Sequence, residues 1–172
     1  MLIKMNSKSF HSFKDKALPR ACFEHIIPLI RGKNNTVKVS IYSQLSRGQK
    51  SLFMFNAYFN HASNSLAEFY WWSSYYIAQP NAWSEIIKAL QYFNAERMLN
   101  IIVEIEEVLK EKKQKECLEN FESSYKDLES NPDLHTIVNR LFTNFNEISS
   151  ATLTTIGEYI RNNPLEFIQF ED

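Results

Sequence analysis

The decisive stretch is residues 51–93, SLFMFNAYFN HASNSLAEFY WWSSYYIAQP NAWSEIIKAL QYF. It holds thirteen of the chain's twenty-four aromatic residues, including all three tryptophans, Trp71, Trp72 and Trp83. No charge interrupts it before Glu68, and the next is Glu85. Such density must be folded inward or covered by a partner, because water solvates it poorly. Its punctuation is helical. Ser46-Arg47-Gly48-Gln49 fits a capping box, and Ser65-Leu66-Ala67-Glu68 repeats the signature, so helices are expected over 47–62 and 66–78. Pro80 separates the second from a third, over 81–93.

Outward from this stretch the pattern continues. Met98, Ile101, Ile102, Ile105, Val108 and Leu109 give an apolar face to a helix opening at Ala95, with Asn94 as its expected cap. The charged run 110–116 has no Gly or Pro, and the apolar spacing resumes at Cys117, Leu118, Phe121, Tyr125 and Leu128. One helix over 95–130 would be about 54 Å long, so it either projects or bends near Lys112. Two further helices are expected, from Pro132 to about residue 145 and over 150–162. Upstream, residues 1–30 read as one or two short helices and 32–36 as a loop. Val37, Val39 and Ile41 alternate with polar residues; with no second strand to pair, this segment is extended or helical.

Three glycines in 172 residues argue for helices joined by short turns and against a turn-rich sheet. The fold class is therefore all-α: a single-domain bundle over 1–172 of roughly seven helices, with a buried aromatic helix and one long charged helix. Residues 1–45 form a basic N-terminal arm or short helices, and 46–172 the helical core. The aromatic helix over 66–78 is apolar almost all round and is expected at the centre.

Two cysteines, Cys22 and Cys117, make no disulfide framework, which places the chain in a reducing cytoplasm. No leader-like run opens it, and polar residues break the aromatic stretch too often for a membrane span. The net charge of −1 hides an asymmetry. Residues 1–50 carry ten Lys/Arg against two acids, and the remainder nine against eighteen. The simplest reading lays the arm on the acidic helices of its own chain. Direct nucleic-acid binding is not expected, since the acidic remainder repels phosphate.

No catalytic signature stands out. Cys22 and His25 are spaced as a ligand pair, but Cys117 and His135 are not, so no metal is expected. Nor is a cofactor, because no glycine-rich loop could cradle a phosphate. The candidate binding residues are Asn60, His61, Asn64, Glu68, Trp71, Trp72 and Tyr75. His61 and Glu68 draw attention because their surroundings are so apolar. A carboxylate against tryptophan could work as an acid, whereas at the third position of a capping box it only closes a helix end. Trp71 and Trp72 point about 100° apart, so one of them should reach the edge of the bundle.

Gly48-Gln49-Lys50, the segment from Asn64 to Trp72, Ala89-Leu90, and Tyr159-Ile160-Arg161-Asn162-Asn163-Pro164 with Phe167 resemble the bacterial DNA-mimic-protein-like family. The resemblance spans about residues 44–167. It implies a helical domain, mostly of unknown function, whose best-known member imitates DNA to occupy a DNA-binding protein. The expectation is a protein-binding or inhibitor-type module without catalysis, its partner another protein. The alternative is an enzyme or small-ligand binder with an aromatic pocket around Trp71, Trp72, Tyr75, Glu68 and His61.

Overall fold

The computed structural model describes residues 2–112 and 118–171, except for the side chain of Lys112. It is helical with one small sheet. In order come strand β1 (Ile3–Asn6), α1 (Ser7–Ser12), a 3₁₀ turn (Asp15–Ala17), α2 (Leu18–Ala21), α3 (Ile27–Ile30) and α4 (Asn35–Ser43). Then follow α5 (Arg47–Ala62), α6 (Leu66–Ile77), α7 (Pro80–Tyr92) and α8 (Glu96–Lys112). A 3₁₀ turn (Leu118–Asn120), α9 (Lys126–Ser130), α10 (Pro132–Asn162), a last 3₁₀ turn (Pro164–Glu166) and strand β2 (Ile168–Glu171) complete the chain. β1 and β2 pair in parallel, Ile3 opposite Ile168, and join the two ends of the chain.

Local chemistry sets most boundaries. The α5 capping box is complete: the Gln49 amide N–H donates to Ser46 Oγ at 3.1 Å, and the Ser46 N–H donates to Gln49 Oε1 at 3.1 Å. Asn34 caps α4 by accepting from the Val37 N–H. This decides the ambiguous 37–41 segment in favour of helix, where backbone bonds close locally without a second strand. Asn94 does not start α8. It ends α7, at φ 54°, with the Ala95 N–H donating to Leu90 O and the Asn94 N–H to Gln91 O. That is a Schellman closure, which asparagine tolerates in the left-handed region.

One open alternative is decided and one expected boundary is corrected. Residues 95–130 are not a single straight helix: beyond α8 the described chain resumes as a 3₁₀ turn, an irregular stretch and the short α9. Lys112's side chain and residues 113–117, with Cys117, lie outside the described residues. The departure from a straight helix brings Leu128 into the core and lets the Tyr70 hydroxyl donate to Asp127. Conversely, the two expected helices over 131–162 are the single α10, 31 residues and about 46 Å long. Its buried stripe, Leu134, Val138, Leu141, Phe145, Ile148, Thr152, Ile156 and Ile160, never loses helical spacing. Ser149 and Thr152 donate their hydroxyls to the carbonyls four residues back, so the polar run ends nothing.

The buried side chains form a hydrophobic core in which α5 packs on α6 and α7, and α10 on α8, α6 and α2. Phe145 of α10 is a junction, its ring meeting Tyr58 and Phe59 of α5 and Phe69 of α6. The basic arm joins the core through Phe10, Leu18, Cys22, Phe23 and Ile26, all at most 5% exposed. Apolar packing, together with the pairing of Asp15 with Arg161 of α10, holds it, and its cations contribute little. Among the described residues, Lys4 with Glu171 is the ion pair by which a cation of the arm meets the rest of the chain. Every residue from Arg31 to Ser40 is exposed.

Candidate functional site

The aromatic helix is buried on one face only. In α6, Phe69, Tyr70, Ser73 and Ser74 point inward, and Tyr58 shares a hydrogen bond with Ser73 at 2.7 Å. Trp71, Trp72, Tyr75 and Tyr76 are half-buried. This corrects the expectation of a helix surrounded on all sides. At 100° per residue, Phe69, Tyr70, Ser73 and Ser74 share one arc of the helix, Phe69 against α10 and the Tyr70 hydroxyl on Asp127, and Trp71, Trp72, Tyr75 and Tyr76 fall on the other.

The exposed half is ordered by ring packing. His61, at the last turn of α5, lies flat on Trp72, with centroids 4.1 Å apart and planes at 21°. Trp71 stacks on Tyr75 at 5.1 Å and 9°, one helical turn along. Trp71 meets Trp72 edge-on at 4.8 Å, and Tyr75 meets Trp72 edge-on at 5.5 Å. Phe121, from beyond α8, closes the far side with its edge against both Trp71 and Tyr75. The result is a continuous aromatic surface built from three parts of the chain.

Glu68 completes it. Its N–H donates to Ser65 Oγ at 3.1 Å, as a cap requires. Its carboxylate does not return to the Ser65 N–H; it accepts the Trp72 indole N–H at 3.0 Å. Glu68, for which both a capping and a binding place were open, takes part in both: its N–H is capped by Ser65, and its carboxylate fixes the Trp72 ring from one edge while His61 covers a face. His61, Glu68, Trp71, Trp72 and Tyr75 are therefore brought together. Asn60 and Asn64 are exposed, and among the described residues no hydrogen bond ties their side chains to the rings. Asn56, spaced with them in sequence, is buried and donates to Leu52 O, so the three amides do not share one wet face.

Phe121 was not among the expected binding residues. Read as part of a long helix, its spacing pointed to a stripe of its own; the signal for its place was the need to cover Trp71. Tyr76, also missed, donates to Ala57 O, and burial pushes its hydroxyl up to about 12. Among the described residues no cluster of three His, Cys, Asp or Glu side chains is placed to hold a metal. None of the described helices is long and apolar enough to cross a membrane.

The family model of the DMP19-like proteins matches residues 43–163. The chain belongs to the DMP19-like protein family. No curated protein and no solved structure matches it. In this DMP19-like chain, several of the motifs that carry the resemblance converge on one structural joint. A Cβ at Gly48 would meet Phe167 Cζ at 2.7 Å, and Gln49 donates its amide to Phe167 O. Ser46 Oγ donates to Glu166 O, and Tyr159 packs its ring against Tyr92, Phe93 and Phe167. Arg161 reaches back to Asp15 at 2.6 Å and to Phe13 O at 2.7 Å. These residues lock the start of α5 to the end of α10. The aromatic surface is a separate feature.

Proposed function

We propose that this chain is a protein-binding module of inhibitor type without catalysis of its own, and that it docks its partner on the surface of His61, Glu68, Trp71, Trp72, Tyr75 and Phe121. The supporting observation is the pair of adjacent tryptophans, both half-buried and both pre-packed. Tryptophan and tyrosine dominate the energetics of interfaces. Rings already held by stacking and by the Glu68 bond lose little further freedom on binding. Membership of a family named for a DNA mimic agrees with a protein as partner.

Imitation of a phosphate row by α8 is a weaker basis. Glu104 pairs with Arg140 at 2.6 Å and Glu106 with Lys110 at 2.6 Å, which neutralises charges that mimicry would need to leave uncompensated. A pocket enzyme is also less well supported, because His61 and Glu68 are engaged with Trp72 instead of converging on open space.

The test is affinity purification from the source cells, with the wild-type chain and a Trp71→Ser/Trp72→Ser variant of unchanged circular dichroism, followed by calorimetry with the purified partner. A partner bound by the wild type and lost by the variant supports the reading. Equal binding by both moves the interface elsewhere. Retention on DNA that falls steeply with salt would move the reading to the basic arm.

A further inference from the structure

A second site lies at the other end of α5. A cleft of about 400 Å³ opens between the end of α4, the first turn of α5 and α7. Its lining includes Tyr42, Arg47, Lys50, Glu85, Lys88 and Tyr92. The volume falls in the range of small-ligand sites. Its charge is unbalanced: three cations face one carboxylate, and that carboxylate, Glu85, is held by Lys88 at 2.7 Å. Arg47 and Lys50 have no carboxylate within ion-pair distance among the described residues. Each is placed over a tyrosine ring. The Arg47 guanidinium carbon is 5.2 Å from the centroid of Tyr92, and Lys50 Nζ is 5.6 Å from that of Tyr42.

We infer that this cleft binds a small phosphate-bearing ligand, with Arg47 and Lys50 holding the anion and Tyr42 and Tyr92 flanking its organic part. A cleft lined by an excess of one sign of charge concentrates the field of its cations. A guanidinium fork matches two phosphate oxygens, and a lysine ammonium adds a point charge. Arg47 is also the first residue of the 16-residue α5, so the positive end of that helix adds to the same field. The Glu166 carboxylate accepts the Tyr92 hydroxyl beside Gly48, and its charge offsets part of this field, leaving the cations of the cleft in excess. Lys88 is available to an anion that displaces Glu85. The site is distinct from the aromatic surface: His61 lies fourteen residues along α5 from Arg47, about 21 Å away.

The experiment is calorimetric titration of the full chain with pyrophosphate and with phenyl phosphate at constant ionic strength. The expected result is saturable one-to-one binding of both at millimolar or lower concentration. Arg47→Gln/Lys50→Gln should weaken it about tenfold or more. Lys110→Gln, which removes an exposed cation on α8, should leave it unchanged. Phenyl phosphate should bind more tightly than inorganic phosphate if the rings contribute; equal binding overturns their part. Absence of saturation, or equal weakening by Lys110→Gln, overturns the site. Should the double variant lose helix content, Glu85→Gln decides. Freeing Lys88 should tighten pyrophosphate binding severalfold, and an unchanged or weaker affinity would count against the cleft.

Discussion

Gly157 lies where α10 meets the Asp15–Ala17 turn. A Cβ there would stand 1.9 Å from the Asp15 carbonyl oxygen, a contact with backbone that no rotamer relieves. Alanine normally stabilises a helix interior by about 1 kcal/mol over glycine. Here the clash must push the turn off α10, so Gly157→Ala should instead cost about 1–3 kcal/mol, read from urea denaturation. His25 sets a pH dependence. It is half-buried, both ring nitrogens lack a hydrogen-bond partner among the described residues, and burial lowers its pKa from 6.5. As pH falls, the unfolded chain takes up this proton first. The contribution is complete above about pH 6.5 and is lost as pH drops toward the folded-state value. Denaturation midpoints should fall between pH 7.5 and pH 5, and His25→Leu should remove part of that slope. Cys22 is fully buried, and burial pushes its thiol up to about 12. In a Cys117→Ser background, a thiol reagent should label it only on unfolding.

The element that most needs testing is α6, because its two faces do different things. Phe69 is 0% exposed and meets Phe142 and Phe145 of α10. Phe69→Ala should cost about 3–5 kcal/mol. Trp72 keeps part of its ring in water and packs on His61, which is exposed. Trp72→Ala should cost only about 1–2 kcal/mol, since less apolar area returns to water. Equal losses would mean that Trp72 is core, and the surface proposed for a partner would lose its central residue.

At the scale of the molecule, the family match over 43–163 leaves out parts of the core that the fold needs. Phe10, Leu18, Cys22, Phe23 and Ile26 from the arm, and Phe167 and Ile168 from the C-terminal segment, are buried in the same cluster. Burying each large apolar side chain is worth about 1.5–3 kcal/mol, and the net stability of a domain is about 5–15 kcal/mol. A fragment of residues 43–163 should therefore lose cooperative thermal unfolding and bind a hydrophobic dye, whereas the whole chain should unfold in one transition.

The chain's own residues announced its helices wherever a boundary was written in local chemistry. Ser46 and Gln49 close a helix start with their own side chains, Pro80 and Pro132 sit at first turns, and the apolar face from Met98 to Leu109 repeats at helical spacing. These interactions span only a few residues, so sequence determines them. His61, Glu68, Trp71, Trp72 and Tyr75 were also legible as a group, because so few polar residues interrupt that stretch. What sequence could not decide was which side of α6 faces inward. Phe69 and Trp72 are equally apolar, and only the position of Phe145 on α10 selects the first for the core. The continuity of α10 was hidden for a related reason. Ser149 and Thr152 satisfy themselves on the helix backbone, and the packed stripe, to which Thr152 itself belongs, carries the helix through them. Phe121 reaches Trp71, and Arg47 and Lys50 come to line a cleft with Lys88 of α7, only after distant segments have packed. Pairings across such separations depend on the whole arrangement of helices, so tertiary structure alone decided them.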